Sequence, residues 1–122
     1  MTLNEGRRWE TDLPLQTGMQ RIRSAAEQGF AAHASGQLTP AAATALSAAV
    51  QENVNNLIAN CQLTPKADAT LHVIIAELLT GAGQLADKSS THDGLEKMER
   101  ALRQYSEYFD HPGWVPFDSS KV

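Results

Sequence analysis

The chain has 122 residues, of which 42% are hydrophobic and 20% are charged. This composition is typical of one globular domain with a sizeable core and excludes an intrinsically disordered chain. A net charge of −4 offers no basic face for phosphate groups, so the sequence predicts no nucleic-acid partner. No apolar run approaches the length of about 18 residues expected of a membrane span, so none is predicted.

Apolar residues recur at intervals of three and four in four successive segments, which is the period of a helix with one buried face. The first segment covers residues 13–35. Asp12 is suited to be its N-cap and Pro14 to lie in its first turn, while Gly36 is suited to the left-handed position that ends a helix. The second segment begins at the tripeptide "LTP", with Thr39 as the N-cap.

The third segment begins at a second "LTP", where Thr64 is the expected N-cap. The fourth begins at Ser90 or Thr91 and continues to Pro112, a residue that can stop a helix just beyond its end. No segment alternates with the period of two that a half-buried strand would show. The sequence therefore predicts four helices of similar length.

The predicted connections are short and lie near residues 36–39, 62–64 and 88–90. Short connections between long helices favour antiparallel neighbours. We therefore expect an all-α fold, an up-and-down antiparallel four-helix bundle that forms a single domain over the whole chain. The flanks, residues 1–11 and 112–122, show no helical period and contain both tryptophans.

The second helix is rich in small side chains, in the run "PAAATALSAAV". Such residues allow another helix to approach closely. They are explained either by helix propensity and tight packing inside the bundle, or by a seam between two copies of the chain. A homodimer is therefore one of the partners that the sequence allows, beside an unknown small ligand or another protein.

The predicted topology brings Met19, Cys61 and His72 towards the same end of the bundle. Soft sulfur ligands combined with an imidazole favour copper(I) or haem iron. Asp68 precedes His72 by four residues, so its carboxylate can hold the imidazole by a hydrogen bond. In the alternative interpretation, Met19 and Cys61 are core side chains, and Asp68 and His72 form a hydrogen bond at the edge of their helix.

Aromatic residues are concentrated in the stretch "YSEYFDHPGWVPF", residues 105–117. Its His-Pro-Gly-Trp turn could fold Trp114 back over the end of the bundle. Tyr105, Tyr108 and Trp114, together with Leu57, then form the predicted wall of a ligand pocket. The alternative is a lid that only closes the core.

No feature of the sequence predicts an enzyme. Cys61 falls at the C-terminal end of a helix, where the helix dipole disfavours a thiolate. No Glu-x-x-His motif lies on an inner face, so the ligands of a di-iron bundle are missing. We therefore expect a non-enzymatic binding or interaction protein without a resident cofactor, and a copper or haem carrier is the alternative.

The order and spacing of these elements resemble those of the cytochrome b562 and cytochrome c-prime group of periplasmic four-helix bundles. In b562 proteins a methionine early in helix one and a histidine late in helix four bind haem. Met19 matches the methionine by position, whereas helix four ends in "RQYSEYFDH", where His111 lies beyond the helix. The single Cys61 does not complete the c-prime attachment motif.

Two stretches, "NCQLTPKADATLHVIIAELLTGAGQL" and "YFDHPGWVP", are similar to small uncharacterised bacterial proteins that are often made with export signals. This similarity implies an accessory module in the periplasm. The N-terminus, "MTLNEGRRWETD", has no apolar signal segment, so the cytoplasm is the alternative location.

Overall fold

Four long helices dominate the computed structural model, which describes residues 1–87 and 90–122. The helices are α1 (Leu13–Ala34), α2 (Pro40–Asn60), α3 (Pro65–Ala86) and α4 (Thr91–Tyr108). Each helix contacts the next along the chain, as the up-and-down order requires. The predicted all-α bundle is therefore confirmed. The predicted connection at 88–90 falls partly on residues 88–89, outside the described residues.

The predicted N-caps occupy the expected positions, but they do not all form a capping hydrogen bond. Asp12 accepts a hydrogen bond from the N–H of Leu15 at 3.1 Å, and Thr39 accepts one from the N–H of Ala42 at 3.1 Å. Thr64 stands at the N-cap of α3 without such a side-chain bond. The starts of α1, α2 and α3 each have a proline in the first turn, whereas α4 starts after Ser90 with neither a proline nor a side-chain cap bond.

The C-terminal end of α1 shows why a glycine follows it. Gly36 has a φ of 72°, in the left-handed region. Its N–H donates to the carbonyl of His33 at 3.1 Å, and the N–H of Gln37 donates to the carbonyl of Ala32 at 2.7 Å. These two bonds satisfy carbonyls that the end of the helix would otherwise leave without partners, and they turn the chain towards α2.

The core lies between the four helices and is formed by the apolar stripes of the sequence. The hydroxyl of the buried Ser47 donates to the carbonyl of Ala82 at 2.7 Å and so joins α2 to α3 inside the core. The largest fully buried side chains come from all four helices and from the C-terminal segment: Tyr105, Phe109, Phe117, Leu15, Met19, Ile22, Leu57, Leu71, Ile74, Leu78, Leu85 and Leu95.

A short parallel strand pair, absent from the prediction, joins the two flanks. Strand β1 (Trp9–Glu10) pairs with β2 (Phe109–Asp110), and Trp9 lies opposite Phe109. Both of these aromatic side chains are buried. Two residues are too few for a period of two to be visible, so the sequence pattern could not reveal the pair.

The C-terminal segment runs along α1 and α4, and we call residues 111–119 the C-terminal strap. Helices α1 and α4 contact each other less than the consecutive helices do. The guanidinium of Arg23 on α1 donates to the carbonyl of Val115 at 2.9 Å. The carboxylate of Glu99 on α4 accepts from the N–H of Ser119 at 2.8 Å. The strap is thus bonded to both helices and covers the seam between them.

Aromatic side chains of the strap fill this α1–α4 seam. Phe117 is 2% exposed, and its ring centroid lies 5.4 Å from that of Phe30 on α1. The guanidinium of Arg23 lies 5.6 Å from the ring centroids of both Trp114 and Phe117. Arg23 also forms an ion pair with Glu27. Phe117 is therefore part of the hydrophobic core, and Trp114 packs against it.

Helix α3 is the one helix in the described part of the chain that is long and apolar enough to cross a membrane by composition. Its best 18-residue window has a mean hydropathy of 1.3, and 44% of that window is buried in the bundle. Composition of this kind is shared by core helices of bundles and by membrane spans. In this fold, α3 packs against both α2 and α4.

Candidate functional site

The structure places the candidate metal ligands in different environments. Met19 is fully buried in the core, Cys61 is partly buried at the C-cap of α2, and His72 is 55% exposed on α3. Nε2 of His72 lies 3.2 Å from Oδ2 of Asp68, so the predicted contact between these two residues is present. Among the described residues, no group of three or more His, Cys, Asp or Glu side chains could hold a metal ion.

The thiol of Cys61 lies in surroundings that keep it protonated. Burial raises the pKa of the Cys61 thiol, and the carboxylates of Asp12 and Asp68 raise it further. Because the thiolate is the form that attacks electrophiles and binds metals, the raised pKa disfavours both roles at neutral pH.

The aromatic residues of the predicted end pocket mainly contact one another. The rings of Tyr105 and Trp114 pack edge to face, and their centroids lie 4.8 Å apart. Tyr105 is fully buried, and Tyr108 is partly buried against the core. Leu57 contributes instead to the interface between α1 and α2, where it faces Gly18. The structure thus brings Tyr105 and Trp114 together in the α1–α4 seam.

A tyrosine–histidine hydrogen bond lies at the beginning of the strap. The hydroxyl of Tyr105 is 2.7 Å from Nδ1 of His111. Burial, with a smaller contribution from the carboxylate of Asp12, raises the pKa of Tyr105 far above its usual range, and burial lowers the pKa of His111. At neutral pH both groups are therefore uncharged, and the tautomer of the His111 imidazole decides which of the two donates the hydrogen. The indole N–H of Trp114 is buried and has no hydrogen-bond partner among the described residues.

Open space lies on the other side of α1, between α1 and α2. One cavity of about 430 Å³ lies near the start of α1 and is lined by residues that include Leu13, Arg21 and Asn56. A second cavity of about 330 Å³ lies nearer the α1–α2 connection and is lined by residues that include Leu38 and Ala45. We call these two cavities together the α1–α2 groove. None of the sequence-predicted metal ligands lines it.

Two glycines explain why this face is concave. Gly18 faces Leu57, and Gly29 faces Leu46, so the two helices meet closely at both points. A Cβ atom built on Gly18 would lie 2.9 Å from Cβ of Leu57. The 11-residue spacing of the two glycines returns to nearly the same side of a helix. This spacing is the sequence signal that could have identified the groove.

The groove carries very little charge. Arg21 is the only charged side chain among the described residues that line its two cavities. Glu52 is the only charged residue of α2, and its helical spacing from Ala49 and Asn56 places it on the α2 rim. The groove with its rim thus offers one positive and one negative side chain and is electrically balanced.

A third cavity, of about 380 Å³, lies between the N-terminal flank and the α2–α3 connection. Its charged lining residues include Arg7, Arg8 and Asp12. Arg8 already contacts the carboxylate of Asp110 at 3.7 Å, and Asp12 caps α1 and accepts from the N–H of Gln62 at 2.6 Å. Two of its charges, on Arg8 and Asp12, thus already take part in contacts that hold the fold together.

Comparison with known proteins gives no family to which the chain can be assigned. No family model, no curated protein and no solved structure matches it. Four-helix bundles host many unrelated activities, so the fold alone implies no function. The function must therefore be argued from the surface and the chemistry of this chain.

Proposed function

We propose that this chain is a non-enzymatic interaction protein that binds helices of another protein chain in the α1–α2 groove. The observation that carries the proposal is an open, nearly uncharged groove on a molecule of net charge −4. Depletion of charge at the centre of a patch distinguishes interface cores from the rest of a protein surface. The corresponding seam between α1 and α4 is already filled by the C-terminal strap.

The dimensions of the groove support a helical partner. Its two cavities, which share no lining residue, follow one another along α1 from Leu13 to Ala32, a distance of roughly 29 Å at 1.5 Å per residue. A helix of about 20 residues has this length. Small side chains such as Ala25 and Ala42 let a helix lie close, as in the binding of amphipathic helices to apolar grooves.

The exposed end of the groove also favours binding. Leu13 is 72% exposed, the largest exposed fraction among the large hydrophobic side chains of the described residues. Burying a leucine side chain that water otherwise surrounds contributes about 1.5–3 kcal/mol. The side-chain amides of Asn53, Asn56 and Asn60 can donate hydrogen bonds at the rim without the cost of burying a charge.

The b562-like layout would instead suggest a haem or copper carrier. The methionine–histidine pair of a b562-type carrier must share one accessible space, whereas Met19 is buried in the core and His72 is exposed with Asp68. We therefore base the proposed function on the groove. A periplasmic location remains part of the proposal, and fractionation of the producing cell with a periplasmic marker tests it.

Photo-crosslinking in the producing cell tests the proposed binding face. Ala45, in the groove, is replaced in one variant by a photoreactive amino acid, and Glu107, exposed on α4, is replaced in the control. We expect a covalent adduct of one defined mass from position 45 and none from position 107. We also expect Leu13→Asp to abolish the adduct, because it places a charge where the partner must bury an apolar side chain.

Three results would contradict the proposal. They are no discrete adduct from position 45, the same adducts from position 107, and an adduct that is insensitive to Leu13→Asp. Since Leu13 is largely exposed, Leu13→Asp should leave the fold intact, and circular dichroism of the purified variant checks this.

A further inference from the structure

We infer that the end of the bundle where α1 ends and α4 begins carries a site for one divalent metal ion, bound by His33 and His92. Zinc(II), nickel(II) and copper(II) are the divalent ions that imidazole ligands suit. Neither histidine lines the α1–α2 groove, so the site does not depend on the proposed docking function.

The up-and-down order of the helices brings the two histidines together. Because α1 ends at Ala34 and α4 begins at Thr91, the last turn of α1 and the first turn of α4 lie at the same end of the bundle. His33 and His92 belong to these two turns. Their ring centroids lie 6.3 Å apart, although 59 positions separate them in the sequence. Among the described residues they are the one pair of histidines in ring contact.

The separation of the two rings is close to the one that a shared ion requires. Zinc–nitrogen bonds are about 2.0–2.1 Å long, so two imidazoles on one tetrahedral ion have ring centroids about 5–6 Å apart. Both side chains are exposed, so an ion reaches them from water and the rings are free to rotate into place. The two imidazoles supply two ligands, and water supplies the others when the ion is bound.

Glu96 orients the imidazole of His92. Its Oε1 lies 3.1 Å from Nε2 of His92, one helical turn away on α4. When Nε2 donates its hydrogen to this carboxylate, Nδ1 carries the lone pair that binds the ion. A carboxylate bonded to the second nitrogen of a metal-binding histidine fixes its tautomer and makes it a stronger ligand. The charge of Glu96 also offsets part of the charge of the ion.

The backbone around both ligands is fixed by local packing. At the end of α1, the carbonyl of His33 accepts from the N–H of Gly36 at 3.1 Å. Near the start of α4, Gly94 lies so close to α3 that a Cβ atom built on it would be 2.7 Å from the carbonyl oxygen of Gly81. The two helix ends are therefore ordered before the ion binds, which reduces the entropy lost on binding.

An ion at this site joins two helices that contact each other less than consecutive helices do. The C-terminal end of α1, where His33 lies, also favours a positive charge through the helix dipole. Because the folded chain brings the two imidazoles together and the unfolded chain does not, bound metal stabilises the fold.

Isothermal titration calorimetry with zinc chloride and the purified full chain tests the site. We expect one ion per chain with a dissociation constant below about 0.1 mM. His33→Ala and His92→Ala should each weaken binding roughly tenfold or more, and Glu96→Gln should weaken it severalfold. His72→Ala is the matched control and should leave the affinity unchanged. His72 pairs with Asp68 as His92 pairs with Glu96, but it has no second imidazole beside it.

Three results would overturn the site. They are a dissociation constant above about 0.1 mM in the wild type, an affinity that is unchanged in His33→Ala, and binding that is lost in His72→Ala. Urea unfolding adds a second readout, since zinc should raise the unfolding midpoint of the wild type and not that of His33→Ala. The three histidines are exposed, so the variants should fold, and circular dichroism checks this.

Discussion

The two sides of α1 show how one helix can be sealed on one flank and left open on the other. On the α4 side, the helices stand apart and the C-terminal strap fills the seam with Trp114 and Phe117. On the α2 side, Gly18 and Gly29 bring the helices together, and the outer face between them stays concave and uncovered. This chain thus covers one apolar surface of α1 with its own residues and leaves the other exposed.

The charged residues on the two sides of α1 differ in the same way. Arg23 and Glu27 lie on the strap side of α1, where Arg23 bonds to the strap and to Glu27. Arg21 lies on the groove side, without an ion pair in the described part of the chain. A charge that is already paired contributes to the fold, whereas an unpaired one is available for recognition of another chain.

The largest loss of stability is expected when packing is removed from the α1–α4 seam. Phe117→Ala removes a ring that is 2% exposed between Phe30 and Arg23, and we expect the free energy of unfolding to fall by about 3–5 kcal/mol. Val115→Ala is the matched control in the same strap, since Val115 is 65% exposed and its truncation should cost less than about 0.5 kcal/mol. Urea unfolding followed by circular dichroism measures both. Equal losses in the two variants would show that the strap does not seal the seam.

The next largest loss of stability is expected when α1 and α2 are pushed apart. In Gly18→Ala the new methyl group would lie 2.9 Å from Cβ of Leu57, an atom fixed by the backbone of α2. Overpacking of this kind costs about 1–3 kcal/mol, partly offset by the better helix propensity of alanine, about 1 kcal/mol. We expect a net loss of stability in urea unfolding.

Gly83→Ala is the control for the glycine substitution. A Cβ atom at Gly83 has no neighbour within 4 Å among residues 1–87 and 90–122, so the expected effect is the gain in helix propensity. We expect a gain of about 0.5–1 kcal/mol in the free energy of unfolding. If Gly18→Ala raised the free energy of unfolding as much as Gly83→Ala does, α1 and α2 would not approach each other closely at Leu57.

Local signals explain why the helices could be predicted. Asp12 and Thr39 form the expected caps, and Gly36 adopts the left-handed conformation assigned to it, because these features depend on neighbours within four residues. The apolar stripes likewise predict the buried faces, including the burial of Met19. The four-helix fold follows from these elements and from the short connections.

The hydrophobic period did not predict the strap-filled seam or the groove, because both depend on contacts between residues that are distant in the sequence. Trp114, predicted to fold back over the end of the bundle, contacts Tyr105 in the last turn of α4 and also Arg23, 91 positions away, in the α1–α4 seam. The groove depends on Gly18 and Gly29, whose lack of side chains leaves no mark on a hydrophobic period. The residues predicted to form a site are mostly polar or aromatic, whereas the open surface is formed mainly by small side chains.

A smaller effect should follow from protonating His111 on the sealed side. Burial lowers the pKa of His111 in the folded chain, so the unfolded chain binds this proton at a higher pH. The contribution of neutral His111 to the free energy of unfolding is present in full at pH values above the pKa of this residue in the unfolded chain, about 6.5. It is lost as the pH falls through the lower pKa of His111 in the folded chain. We expect the free energy of unfolding to fall between pH 7.5 and pH 5, and to fall less in His111→Gln. An identical decrease in both proteins would assign the pH dependence to other groups.

The smallest effect is expected on α3, outside both faces. His72→Ala removes an exposed imidazole whose only described ion pair is with Asp68, and water screens such a pair, so the free energy of unfolding should change by less than about 0.5 kcal/mol. Copper(I) titration followed by elemental analysis should give the same uptake in His72→Ala as in the wild type. If the wild type bound stoichiometric copper and His72→Ala did not, His72 would be a metal ligand. The metal site would then lie on α3, outside both the groove and the strap.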